Sequence, residues 1–129
     1  MPRFVILTHD YPHLHWDFML EWEGTLRTWR LEKEPSLDCA IRAEPLPDHR
    51  LEYLEYEGPV SGDRGTVTRW DVGTYTLWQD SAAAIDVYLI GQKLYGRAAV
   101  TLPELSDHAT FRYSGDPTAP DWRQRQLTP

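Results

Sequence analysis

The chain reads as an all-β domain, a small closed antiparallel β-barrel with long connecting loops. Three observations predict it. From His13 to Trp22, the residues His13, His15, Asp17, Met19 and Glu21 alternate with Leu14, Trp16, Phe18, Leu20 and Trp22, and a period of two is the mark of a strand with unlike faces. Glu23-Gly24 follows as a tight turn between two apolar runs. Between Thr66 and Leu102, short runs rich in Val, Ile, Thr, Tyr and Trp are bounded by Gly, Asp or Ser, as in hairpin-connected sheets. Closing such a sheet on itself removes its exposed edges.

In chain order, Phe4-Val5-Ile6-Leu7 is a strand-forming apolar run, and Pro12 interrupts pairing before the alternating strand begins at His13. Thr25 to Leu31 is the hairpin partner across Glu23-Gly24. From Glu32 to Pro59, Pro35, Pro45, Pro47 and Pro59 stand among many charges, so mostly loop is expected, with a brief helical or extended piece from Leu51 to Glu57. So long an irregular segment in a small domain is more often functional than decorative. Separate strands then follow at Thr66–Asp71, Gly73–Trp78 and Ala84–Ile90, with the pattern continuing through Gly91–Leu102 and a last strand at Phe111–Tyr113. Residues 1–114 are read as one barrel domain, and 115–129, proline-containing and poor in apolar residues, as a loosely ordered tail.

With 41% hydrophobic residues and six tryptophans in 129 positions, there is enough material for one core. Cys39 is the single cysteine, which excludes an intramolecular disulfide and any multi-cysteine cage, so a metal must rely on His and carboxylate. No apolar run approaches bilayer length, and the stretch after Met1 is too short for a signal peptide, so a cytoplasmic protein with no membrane contact is expected. The net charge of −7 is uneven: residues 1–60 carry six Lys/Arg against twelve Asp/Glu, and 61–129 carry seven against eight. That balance argues against tight nonspecific binding of long duplexes, where affinity grows with the number of phosphates neutralised. It leaves room for a local basic pocket on one phosphate. The acidic half suits a divalent cation, and equally a solvated acidic surface.

His15 and Asp17, two apart on a strand, project from one face, with His9 supplied by the preceding strand end. Imidazole plus carboxylate suits Mn²⁺, Fe²⁺, Zn²⁺ or Ni²⁺, and three protein ligands leave positions for water and substrate. By itself a His-x-Asp pair also fits a solvated polar face. With a distant histidine, the same pair would make the facial triad of a cupin-type iron oxygenase.

The wider string is more specific. His9-Asp10-x3-Leu14-His15-Trp16-Asp17-Phe18-x-Leu20-Glu21 closely resembles the opening motif of the 3′-phosphoesterase domain of bacterial LigD-type DNA repair ligases. Lys33-Glu34-Pro35-Ser36-Leu37-Asp38 resembles that family's Lys-Gly-Pro-Ser-Leu-Asp segment, and Asp48-His49-x-Leu51-x-Tyr53 its Asp-His-Pro-Leu-x-Tyr. Tyr56-Glu57-Gly58, Gly65-Thr66-Val67-x2-Trp70-Asp71-x-Gly73 and Lys93-Leu94-x-Gly96-Arg97 follow in the family's order.

The resemblance implies a small β-barrel that processes DNA or RNA 3′ ends in repair, with Mn²⁺ or another divalent metal, removing a terminal 3′-ribonucleoside or 3′-phosphate. Carried over by position, it implies His9, His15 and Asp17 as metal ligands, and His49, Tyr53, Lys33 and Arg42 as groups that hold or protonate the phosphate. Such a domain would work beside a separate DNA ligase or polymerase. Two departures stand out. Met19 occupies the place of the family's arginine two positions after the metal-binding aspartate, and cannot donate to a phosphate. His13 stands where relatives commonly have an arginine, and can substitute as a donor when protonated. The loop Ser61-Gly62-Asp63-Arg64-Gly65 is also shorter than in the family, and Arg64 could bring a positive charge toward the site. Two readings follow: an active phosphoesterase, which Met19→Arg would speed up, or a noncatalytic module that binds nucleic-acid ends or a protein partner.

Overall fold

The computed structural model describes residues 1–102, 108–116 and 118. Its strands are β1 Arg3–His9, β2 His15–Trp22, β3 Thr25–Leu31, β4 Ile41–His49, β5 Gly58–Pro59, β6 Thr66–Asp80, β7 Ala84–Gly91, β8 Tyr95–Thr101 and β9 Ala109–Gly115. A 3₁₀ turn covers Leu51–Leu54, inside the segment expected to hold a brief helical piece. Eight strands close into an antiparallel ring in the order β1-β2-β3-β4-β9-β8-β7-β6, with β6 pairing back to β1. The two-residue β5 pairs with the start of β6. The all-β, closed antiparallel sheet is as the sequence predicts. The tail expected at 115–129 lies, past Thr118, outside the described residues.

The β2–β3 turn sets the register of the site. Glu23 and Gly24 have φ of 50° and 83°, the positive values that a two-residue type I′ hairpin demands. This turn places Trp22 opposite Thr25 and, five pairs along, Asp17 opposite Arg30.

The ring encloses one core, in which Phe4, Ile6, Phe18, Leu20, Trp29, Leu31, Val87, Val100, Phe111 and Tyr113 meet from all sides. A second cluster lies on the other face of β1 and β2, where Val5, Leu7, Met19 and Leu26 pack with Val67 and with Leu54 of the 3₁₀ turn. Burial of a Leu side chain stabilises by roughly 1.5–3 kcal/mol, so Leu54, 5% exposed, anchors the turn that carries Tyr53. The face of β2 read from sequence as polar is therefore covered, and His15, Asp17 and Met19 are all buried.

Three elements differ from the sequence expectation. The alternating strand starts at His15, because Tyr11 to Leu14 are exposed and outside the ladder. Ile41–His49, expected as loop, is a strand despite Pro45 and Pro47. Only Ile41–Ala43 pair with β9, while the stretch beyond pairs with β3 alone, and a strand paired on one edge tolerates residues that lack an N–H. Thr66–Asp80 is one strand rather than two. Gly73, read as a boundary, lies inside it, paired with Phe4 on one side and Gly91 on the other. A Cβ there would collide with the Ile90 carbonyl, so Gly73 permits a close backbone approach.

Candidate functional site

The antiparallel register pairs His9, the last residue of β1, with His15, the first of β2. Asp17 lies two residues along the same face. One potential ligand atom from each of the three lies within 4.8 Å of the others. The His9 and His15 rings meet edge-on, with centroids 4.8 Å apart.

Each imidazole is held by a backbone carbonyl, which fixes its tautomer. His15 Nδ1 donates to the His13 carbonyl at 2.9 Å, so the neutral ring turns the lone pair of Nε2 toward Asp17 Oδ1, 3.2 Å away. His9 Nε2 donates to the Arg64 carbonyl at 2.8 Å, leaving Nδ1 with its lone pair 3.6 Å from Asp17 Oδ2. Second partners of this kind are how metal-binding histidines are oriented. Among the described residues, His15 Nε2 and Asp17 Oδ1 are buried without a hydrogen-bond partner. In that neutral tautomer two acceptors face each other, which is costly to bury, and a cation between them removes the cost. The donor set, two imidazoles and one carboxylate, therefore fits a divalent transition metal.

The loop from β5 to β6 supplies the carbonyl that holds His9, and it is clamped in turn. Thr66 N donates to Asp10 Oδ1 at 2.7 Å. Gly65 has φ of +77°, and a Cβ there would strike Asp10 and Tyr11. The short Arg64-Gly65-Thr66 segment thus closes against the end of β1.

A cleft of about 310 Å³ opens over this cluster, and its lining includes His9, Asp17, Met19, Arg30, His49, Tyr53 and Arg64. His49 Nδ1 donates to the Pro47 carbonyl at 2.9 Å, which leaves the Nε2 lone pair free in the neutral ring. Tyr53 packs edge-on against His49, ring centroids 5.8 Å apart. β4 and the 3₁₀ turn, joined at Arg50, thus place a second imidazole and a phenol in the cleft lined by His9 and Asp17.

Comparison with known proteins matches residues 7–102 to the DNA ligase D 3′-phosphoesterase domain. The chain belongs to that family. Relatives include the multifunctional non-homologous end joining protein LigD of Pseudomonas aeruginosa, 36% identical over 105 residues, which covers 74% of this chain and 12% of that protein. The multifunctional non-homologous end joining DNA repair protein LigD of Mycobacterium tuberculosis is 35% identical over 106 residues, 75% of this chain and 14% of that protein. The LigD of Mycolicibacterium smegmatis is 32% identical over 114 residues, 76% of this chain and 15% of that protein. The matched region is thus a small fraction of each relative's length.

Several segments that carry the family likeness are placed away from the cleft. Lys33 is exposed between β3 and β4 and does not line it. The segment that follows straps across β9, with Leu37 bridging to Tyr113, Asp38 N donating to the Tyr113 carbonyl at 2.8 Å and Arg112 to the Asp38 carbonyl at 2.7 Å. Arg42 is exposed on β4, its Nε 3.7 Å from Glu32, and is also outside the lining. His13 is exposed, and its contribution is the carbonyl that holds His15. Asp71, in the family's Trp-Asp segment, accepts from the backbone N–H groups of Val72, Gln92, Lys93 and Leu94, and so ties the β7–β8 turn to β6. Sequence reading missed Arg30 as a cleft residue, although its signal was present: a two-residue turn at Glu23-Gly24 dictates that Asp17 faces Arg30.

Proposed function

We propose that this domain is a metal-dependent phosphoesterase that processes DNA or RNA 3′ ends in repair, removing a terminal 3′-ribonucleoside or 3′-phosphate. The observation that carries the reading is a pair of buried acceptors, His15 Nε2 and Asp17 Oδ1, that have no hydrogen-bond partner among the described residues and lie beside His9, where His9 and Asp17 line an open cleft. Membership of the 3′-phosphoesterase domain family supplies the substrate class. His9, His15 and Asp17 would hold Mn²⁺ or another divalent ion, which when bound polarises a phosphoryl oxygen and acidifies a water molecule.

The chain's own groups then divide the remaining work. As water adds to phosphorus and the bond to the leaving oxygen breaks, charge grows on the phosphoryl oxygens, and preoriented donors stabilise it. Tyr53 offers a hydroxyl from the 3₁₀ turn. His49, with Nδ1 committed to Pro47, can take a proton from solvent on Nε2 and, as the imidazolium, pass it to the leaving oxygen. The apolar side chains of Leu7, Met19 and Val67 in the cleft lining would limit water around the phosphate. A ligase or polymerase would use the trimmed end.

A noncatalytic end-binding module is the second reading, favoured by Met19, which leaves β2 without any Lys or Arg. An iron oxygenase would share the His and Asp ligands, but family membership speaks against it. The deciding experiment incubates the purified protein with a labelled primer bearing a 3′-ribonucleotide or 3′-phosphate, with and without Mn²⁺. Metal-dependent shortening or phosphate release is expected. Metal-dependent primer binding without either would leave the module, and oxygen consumption with iron would revive the oxygenase.

A further inference from the structure

The cleft contains an arginine whose place in the fold points to an anion. Arg30 stands directly opposite Asp17 on the β2–β3 ladder, so the two side chains leave the same face about 5 Å apart at Cβ. Its Nε is buried without a hydrogen-bond partner among the described residues. Its guanidinium otherwise reaches Glu44 at 3.9 Å, a side chain that is 59% exposed. Asp17 does not take the donor, because its two oxygens face His15 and His9 at 3.2 and 3.6 Å. The other cation lining the cleft, Arg64, is committed to Ser61, with Nε to the carbonyl at 2.7 Å and a terminal nitrogen to Oγ at 3.2 Å.

A buried donor left unmade is costly unless a ligand accepts from it. A guanidinium is also the side chain whose planar fork matches two oxygens of a phosphate. We propose that Arg30 is the phosphate grip of this site: it binds the nonbridging oxygens of the 3′-terminal phosphate while His9, His15 and Asp17 hold the cation. In this way β3 supplies the charge that β2 lacks at Met19. The substrate named here rests on the phosphoesterase reading; the choice of residue rests on the register. It also reverses one expectation from sequence, because Met19→Arg would set a second guanidinium diagonal to Arg30 and repel it rather than raise turnover.

The test uses two primers that differ only at the 3′ end, one closed by a phosphonate that resists hydrolysis and the other by a hydroxyl. Binding to the Mn²⁺-loaded protein is read by fluorescence anisotropy, and Mn²⁺ affinity is read separately by calorimetry. The wild type is expected to prefer the phosphonate end by about 10- to 100-fold, the worth of charge-assisted hydrogen bonds. Arg30→Gln should lose most of that preference, Arg30→Lys should keep part of it, and both should bind Mn²⁺ as the wild type does. If Arg30→Gln keeps the preference, the assignment of Arg30 is overturned while the phosphoesterase reading stands. If Arg30→Gln loses Mn²⁺ affinity, Arg30 is a support for Asp17 and the assignment also fails. A wild type that shows no preference and trims neither 3′-ribonucleotide nor 3′-phosphate primers overturns the phosphoesterase reading itself, and the assignment with it.

Discussion

Two arcs of the ring each bury an aspartate close to an arginine of the neighbouring strand, and they treat the pair in opposite ways. On β7 and β8, Asp86 accepts from Arg97 through two nitrogens, at 2.7 and 3.0 Å, in a fork that satisfies both carboxylate oxygens. The contact holds Arg97 above the usual arginine range, first through the hydrogen bond and then through the charge of Asp86. On β2 and β3, Asp17 and Arg30 are directly paired in the ladder, yet Asp17 Oδ1 and Arg30 Nε both lack a hydrogen-bond partner among the described residues. Asp71 makes the contrast sharper, since four backbone N–H groups converge on it. Where a buried carboxylate serves the fold, its oxygens are filled by the chain. Where they are left open, beside two oriented imidazoles, the arrangement fits a cation from outside, as proposed above.

Removing each carboxylate tests that contrast. The largest effect on stability is expected from Asp71→Ala, which strands several N–H groups of the β7–β8 turn and should cost at least about 3 kcal/mol in denaturant unfolding. Mn²⁺ affinity of the folded protein should be unchanged. Asp17→Asn should do the reverse. Mn²⁺ affinity measured by calorimetry is expected to fall by at least about 100-fold, as a ligand carrying a full charge is lost. Metal-free stability should rise by about 1 kcal/mol, because the new amide can donate to His15 Nε2. An Asp17→Asn protein that is less stable without metal would place Asp17 with the structural aspartates and break the comparison. The smallest change is expected from Arg97→Ala, about 1–2 kcal/mol of stability, because that guanidinium is 53% exposed and water screens the pair. Its Mn²⁺ affinity should match the wild type.

The likeness to the family runs through residues of both kinds, and the sequence does not separate them. His9, Asp17 and His49 line the cleft, with His15 buried beside Asp17, whereas Lys33 and Arg42, implied by the same resemblance, are exposed outside its lining. Asp71 and Gly73 recur in a motif because a turn and a close strand crossing need them. Arg30 belongs to no quoted motif, and it is placed in the cleft by counting back from a turn.

The sequence by itself determined what local geometry dictates: strands where the period is two, a hairpin at Glu23-Gly24, and His15 with Asp17 on one face, since successive side chains of a strand point in opposite directions. The strand at Ile41–His49 and the continuity of Thr66–Asp80 escaped it. Prolines and a glycine break a strand or not according to which edge is paired, and the pairing partners are distant in the chain. Only the tertiary fold packs Leu54 and Val67 with Met19, on the face of β2 that also carries His15 and Asp17. It alone brought the Arg64 carbonyl to His9 across 55 residues. Burial and long-range hydrogen bonds determine which polar atoms are satisfied, and so only the folded chain shows that His15, Asp17 and Arg30 each bury one polar atom without a hydrogen-bond partner among the described residues.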